Sequence, residues 1–161
     1  MKTLIICTAI PACGKSSWAR RYKASHHNTY IVSSDEIRLE LTGGDYHDRS
    51  KQPEVWKLFS ERIHEYGAIN DATVILDALN DTNELRKKYV IENPEFDKYI
   101  LAVFSFNPER SKRINSERPK TAYVPDEVMD ILINKFEQPT EEIKALFDEI
   151  WNIQWSEKKP E

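Results

Sequence analysis

Residues 9–16, Ala-Ile-Pro-Ala-Cys-Gly-Lys-Ser, match the phosphate-binding P-loop pattern, with Ala9 where its first glycine usually stands. The preceding run, Thr3-Leu4-Ile5-Ile6-Cys7-Thr8, is short, apolar and β-branched, as a buried parallel strand is. The following run, Ser16-Ser17-Trp18-Ala19-Arg20-Arg21-Tyr22, contains no helix breaker. In the order strand, tight loop, helix, the backbone N–H groups around Ala12, Cys13, Gly14, Lys15, Ser16 and Ser17 curl about phosphate oxygens at a helix N-terminus, where the dipole favours negative charge. Lys15 then reaches the β- and γ-phosphates, and the Ser16 hydroxyl sits on Mg²⁺. The alternative is an ordinary strand–turn–helix with a chance Gly-Lys-Ser; the flanking runs favour a site for a nucleoside triphosphate, ATP being the expected one. Gly14 is the only glycine of the loop. Alanine at 9 and 12 is small enough for close approach to a phosphate but resists positive φ angles.

At 161 residues the chain is long enough to bury a sizeable core and is expected to form one domain, residues 1–161. Its hydrophobic content of 40% and charged content of 31% are ordinary for a globular chain. With a net charge of -4 there is no global basic field, so a nucleic-acid substrate requires a local basic patch. Cys7 and Cys13 are too few and too poorly placed for a disulfide framework or a metal site, which points to a reducing, cytoplasmic setting. The first apolar run leads straight into Pro11 and Gly-Lys-Ser and reads as a strand rather than a leader, and no run is long enough to cross a bilayer.

Short apolar runs alternate with longer amphipathic ones. Strands are expected at 3–8, 29–32, 73–77, 98–105 and 148–154, and helices at 15–24, 34–41, 53–66, 83–91, 107–115 and 125–136. This alternation predicts an α/β protein: a P-loop NTPase fold with a parallel sheet of about five strands and helices on both faces. In such sheets ligands bind beyond the carboxyl ends of the strands. Val55, Leu58, Phe59 and Ile63 recur at helical spacing and should face the core, whereas Trp151 and Trp155 alternate with Ile150 and Ile153 as an edge strand or a terminal plug. Glu141-Glu142 reads as a helix start, and His26, His27, His47 and His64 form no ligand spacing with either cysteine.

Three strand ends carry candidate chemistry. After Tyr30-Ile31-Val32 comes Ser33-Ser34-Asp35-Glu36-Ile37-Arg38, where Asp35 and Arg38 share a helical face. The carboxylate suits a general base for a substrate hydroxyl, and the guanidinium suits a grip on a substrate anion. The same stretch is also a capping box, Ser33-x-x-Glu36. Asp77 closes the third apolar run, where an acid can hold a magnesium-bound water, and Asn80 follows it within hydrogen-bonding reach of a substrate; Asn80-Asp81-Thr82-Asn83 reads equally as a turn and helix cap. After the fourth run, Ser111–Lys120 is the main cluster of positive charge, with Arg113 and Arg118 placed to close over a triphosphate, and Pro119 marks a helix stop.

Taken in order, these residues resemble the P-loop kinases related to the 5′-hydroxyl polynucleotide kinase domain of bacteriophages. Pro11-x-x-Gly14-Lys15-Ser16-Ser17-Trp18-Ala19-Arg20 is similar to the opening motif, Ser34-Asp35-x-x-Arg38 to the base and substrate-phosphate pair, and Asp77-Ala78-Leu79-Asn80 to an Asp-Ala-Thr-Asn sequence. Asn115-x-x-Arg118 followed by Val124-Pro125 is similar to the lid, and Phe136-Glu137-x-Pro139-Thr140-Glu141 to the tail of small members. The resemblance covers nearly the whole chain. It implies ATP- and Mg²⁺-dependent transfer to a hydroxyl, with Lys15 on the phosphates, Asp35 as base, Arg38 as substrate clamp and Arg118 as lid arginine. Leu79 replaces the usual threonine, and Arg113 lies one residue further from Arg118 than the matching arginine of the phage enzymes. The wider group includes kinases resembling zeta toxins and chloramphenicol phosphotransferases, so the resemblance indicates the reaction more firmly than the acceptor. The expected partner is a single-stranded nucleic-acid end. The alternatives are a small hydroxylated substrate, such as a nucleoside, nucleotide sugar or antibiotic, and a non-catalytic nucleotide-binding module.

Overall fold

The computed structural model describes residues 1–154; Trp155 lies outside them. Five strands, β1 (Thr3–Thr8), β2 (Thr29–Ser33), β3 (Thr73–Asp77), β4 (Lys98–Phe104) and β5 (Glu149–Ile153), form one parallel sheet in the order β2-β3-β1-β4-β5. The helices are α1 (Lys15–Ser25), α2 (Ser34–Thr42), α3 (Gln52–Gly67), α4 (Asn83–Ile91), α5 (Pro108–Ser116), α6 (Asp126–Lys135) and α7 (Glu141–Lys144). Every element expected from the sequence is present within two residues at each end, and α7 starts at the acidic pair Glu141-Glu142.

The sheet is buried on both faces, which is why its strands read as nearly continuous apolar runs. Alternate residues of β1 point to opposite layers. Leu4 and Ile6 join Ile37 of α2, Phe59 and Ile63 of α3, Tyr89 of α4 and Ile143 of α7. Ile5 and Cys7 join Ala19, Trp18 and Tyr22 of α1, with Trp151 and Ile153 of β5 closing that layer. As the spacing predicts, Val55, Phe59 and Ile63 are buried, and Leu58 packs partly buried against them. No helix among the described residues is long and apolar enough to cross a membrane.

Strand order matters most for the site. β1 is central, with β3 on one side and β4 on the other. The register pairs Ile6 with Leu76 and Ser33 with Asp77. The carboxyl ends of β1, β3 and β2 therefore lie side by side, and the P-loop, Asp77 and the start of α2 open from one edge. Local capping fixes each exit: Ser33 Oγ accepts the Glu36 N–H at 3.2 Å and Thr82 Oγ1 accepts the Leu85 N–H at 3.2 Å. Both helices thus begin where the sequence places a cap.

Candidate active site

The loop from Ala9 to Gly14 turns the chain from β1 into α1. Ala9 N–H donates to the Leu79 carbonyl at 2.9 Å, tying the loop's start to the end of the β3 excursion. Gly14 holds φ 86°, and Ala12 holds φ 60°. For alanine that left-handed conformation costs about 1–2 kcal/mol, and glycine adopts it freely. Ala12→Gly is therefore expected to stabilise the fold by about 0.5–1 kcal/mol after its larger unfolded-state entropy is counted. Thermal denaturation with unchanged ATP affinity checks this.

α1 begins at Lys15 with no side-chain cap and no acidic residue in its first turn. Its leading N–H groups and positive dipole end are left for an anion. Lys15, with its side chain 11% exposed, pairs with Asp77, and Ser16 Oγ donates to the other Asp77 oxygen at 2.9 Å. Burial works hardest against the Lys15 charge, but Asp77, first by its charge and then by its hydrogen bond, raises the pKa above the ordinary lysine value, with smaller help from Cys13 and Asp35. The ammonium is thus fixed as a cation beside the loop. Ser16 and Asp77 together present a hydroxyl and a carboxylate, hard oxygen donors that fit Mg²⁺, which binds through few protein ligands, retained waters and phosphate oxygens.

Cys13 and Cys7 are both free and buried. Burial raises the Cys13 pKa, while the Lys15 charge and backbone N–H groups pull it down, and Asp77 adds a small further rise. The folded thiol keeps its proton to higher pH than the unfolded one. That contribution to stability is present below the usual cysteine pKa of about 8.5 and is lost as pH rises through the folded value. Alkylation of Cys13 by iodoacetamide near pH 8 is expected to run slower in the native protein than in the urea-unfolded chain. Equal rates would contradict the burial argument.

Asp35 stands in the first turn of α2 with its side chain 60% exposed, and Arg38 Nη1 donates to Asp35 Oδ1 at 2.8 Å. Arg38 is itself buried, its Nε donating to Gln52 Oε1 of α3 at 3.0 Å. Burial lowers the Arg38 pKa first, the nearby Arg49 charge second, and Asp35 opposes both. A largely exposed carboxylate is thereby held by a buried guanidinium.

Other expected residues fall differently. Asn80 is buried at φ 44°; its Nδ2 donates to the Cys7 carbonyl at 2.8 Å, and its own carbonyl accepts Thr8 Oγ1 at 2.8 Å. Its amide nitrogen thus fastens the β3–α4 turn to the end of β1. Ser17 is exposed on α1. Arg113 lies exposed in the last turn of α5, where its carbonyl accepts Ser116 Oγ. Arg118 follows that helix, half-buried, with its backbone N–H on the Asn115 carbonyl and no side-chain hydrogen bond or ion pair among the described residues. The loop after it is clipped back on α5 by fully buried Asn115, whose Nδ2 donates to the Val124 carbonyl and whose Oδ1 accepts the Val124 N–H. Lys112 and Asp130 pair α5 with α6.

Arg86 is a residue that the sequence reading passed over. It is fully buried on α4, with Nε and Nη2 donating to Thr8 Oγ1 at 3.1 and 2.8 Å, Nη1 to Asn83 Oδ1 at 2.8 Å and Nη2 to the Glu137 carbonyl at 2.6 Å. The guanidinium lies 5.3 Å from the Phe136 ring centroid. Burial pushes its pKa down to about 10 against the Glu137 and Asp81 charges, leaving it cationic at neutral pH. It locks the last residue of β1 to α4 and to the Phe136-Glu137 segment.

The fold recurs among solved structures. Kti12 of Chaetomium thermophilum, in complex with ADP-AlF3, superposes with a TM-score of 0.69 at 16% identity over 97% of this chain and 91% of that chain. A chain of the Pnkp1/Rnl/Hen1 RNA repair complex gives 0.73 at 21% identity, covering 91% of this chain and 46% of its own length. A gluconokinase from Sinorhizobium meliloti 1021 gives 0.61 at 14% identity over 97% of this chain and 84% of that chain. No curated protein sequence matches. A family model described as an AAA domain matches residues 4–139. That match spans the P-loop, Asp35, Asp77 and Arg118, and the chain belongs to the AAA domain family with a P-loop NTPase-like α/β fold.

Proposed function

We propose that residues 1–161 form one kinase domain that transfers the γ-phosphoryl group of ATP to a hydroxyl, most readily the 5′-hydroxyl of DNA or RNA. The observation that carries this reading is Asp35: a largely exposed carboxylate, clamped by buried Arg38, whose charge is felt at Lys15. A protein that only senses nucleotide needs no such base beside its phosphate lysine. In the proposed step Asp35 takes the acceptor's hydroxyl proton as its oxygen bonds to the γ-phosphorus. The bond to the β–γ bridging oxygen breaks, and ADP leaves. Lys15 and the N–H groups at the start of α1 hold the phosphates, and Arg118 neutralises charge developing on the transferred group. Ser16 and Asp77 would hold Mg²⁺, which offsets phosphate charge when bound.

The RNA repair complex among the similar folds supports a nucleic-acid acceptor. The net charge of -4 and the gluconokinase favour a second reading, a small hydroxylated acceptor. ADP release decides between them. Stimulation by a 5′-hydroxyl oligonucleotide, and none by the same oligonucleotide already 5′-phosphorylated, is the expected result. Stimulation only by gluconate, shikimate or nucleosides would overturn the nucleic-acid reading.

A further inference from the structure

The acceptor side of the site carries more positive charge than the transfer step uses. Arg38 reaches Gln52, the first residue of α3, and the Gln52 backbone N–H donates to the Arg49 carbonyl at 3.3 Å. Arg49 therefore sits in the turn that leads into α3, with its guanidinium exposed and without a hydrogen bond or ion pair among the described residues. Its charge acts on Arg38 in the direction expected of a close like charge. The turn that carries Arg49 thus brings a second positive charge toward Arg38. The repulsion between them is relieved by an incoming anion.

An aromatic face lies beside this charge. Trp56 is one turn along α3 from Gln52, on the same side of the helix, and remains 38% exposed. It packs edge-on at 68° against buried Phe59, with ring centroids 5.3 Å apart. On the same α2–α3 loop, His47 Nε2 hydrogen-bonds the Lys120 carbonyl at 3.2 Å, joining that loop to the basic segment that carries Arg118. A neutral sugar carries no charge for a second guanidinium to hold. A nucleotide chain uses both the guanidinium and the indole face, through its phosphodiesters and its bases.

We propose that Arg49 and Trp56 extend the acceptor site, Arg49 holding a phosphodiester of the acceptor beside Arg38 and Trp56 stacking one of its bases, so that the site selects a single-stranded nucleic-acid end. This rests on the phosphoryl-transfer reading above. The test is steady-state transfer by the full chain to a short single-stranded 5′-hydroxyl oligonucleotide across a range of salt concentrations, compared with the free nucleoside. Arg49→Ala is expected to raise KM for the oligonucleotide about 5- to 20-fold, with the loss carried by KM rather than kcat and far smaller on the nucleoside. The slope of affinity against salt, on logarithmic axes, should fall by about 0.7. Trp56→Ala is expected to raise KM roughly 5- to 100-fold, with Trp56→Phe restoring most of it. Arg49, on an exposed turn, carries the test if Trp56→Ala fails to fold. Wild-type transfer to the oligonucleotide with KM and salt slope untouched by Arg49→Ala and Trp56→Phe or Trp56→Ala would overturn this inference and leave the kinase reading standing. Wild-type protein inert toward every hydroxyl acceptor would overturn both.

Discussion

Asp35→Asn is expected to slow phosphoryl transfer by about 10²–10⁴-fold, the range that a positioned general base contributes, while ATP affinity is retained. Asparagine keeps the volume and the oxygen that accepts from Arg38 Nη1, so the start of α2 stays intact. What it loses is the ability to take a proton. In the proposed function nucleotide binding rests on a different set of groups: the P-loop amides, Lys15 and the Ser16–Asp77 pair. Asp35 is only a minor support for the Lys15 charge, behind Asp77. Single-turnover transfer beside equilibrium ATP titration separates the two effects, and full transfer by Asp35→Asn would remove Asp35 from the base role.

Arg86→Leu is expected to cost about 3–5 kcal/mol of stability. At roughly 2–4 °C per kcal/mol for a chain of this size, the unfolding midpoint should drop by about 6–20 °C. Leucine matches much of the aliphatic stem, so the loss is one of hydrogen bonds. Thr8 Oγ1, Asn83 Oδ1 and the Glu137 carbonyl would all lose their guanidinium donors. Arg86→Lys should recover only part, because an ammonium cannot span the fork that the guanidinium fills. Since Thr8 directly precedes the P-loop, ATP affinity should fall together with stability. A leucine variant that melts with the parent would show that these bonds contribute nothing net.

Local signals made the core of the site readable. The loop at 9–16, the cap at Ser33, the Asp35–Arg38 spacing and the acid closing β3 each depend on residues within a few positions of one another. The structure places them as neighbours because β2, β3 and β1 are adjacent strands. The contacts that local sequence does not show have a different origin. Arg86 belongs to no motif that the sequence shows, and its partners Thr8 and Glu137 are 78 and 51 positions away. Asn80 reads as a group near the substrate, yet a positive φ and the Cys7 carbonyl engage it. Arg49 lies in a loop that matches no motif, and only the Arg38–Gln52 contact between α2 and α3 shows that its turn lies toward Arg38. Ala12 departs from the pattern in the other direction: the loop adopts the glycine-like conformation despite the side chain.

The most direct test of the account is transfer of labelled γ-phosphate from ATP to 5′-hydroxyl DNA and RNA oligonucleotides, with Lys15→Ala and Asp35→Asn as controls. Label appearing at the 5′ end with wild-type protein, and lost with either substitution, is the result that a nucleic-acid 5′-kinase requires. ATP bound at the P-loop with no label on any oligonucleotide would contradict it.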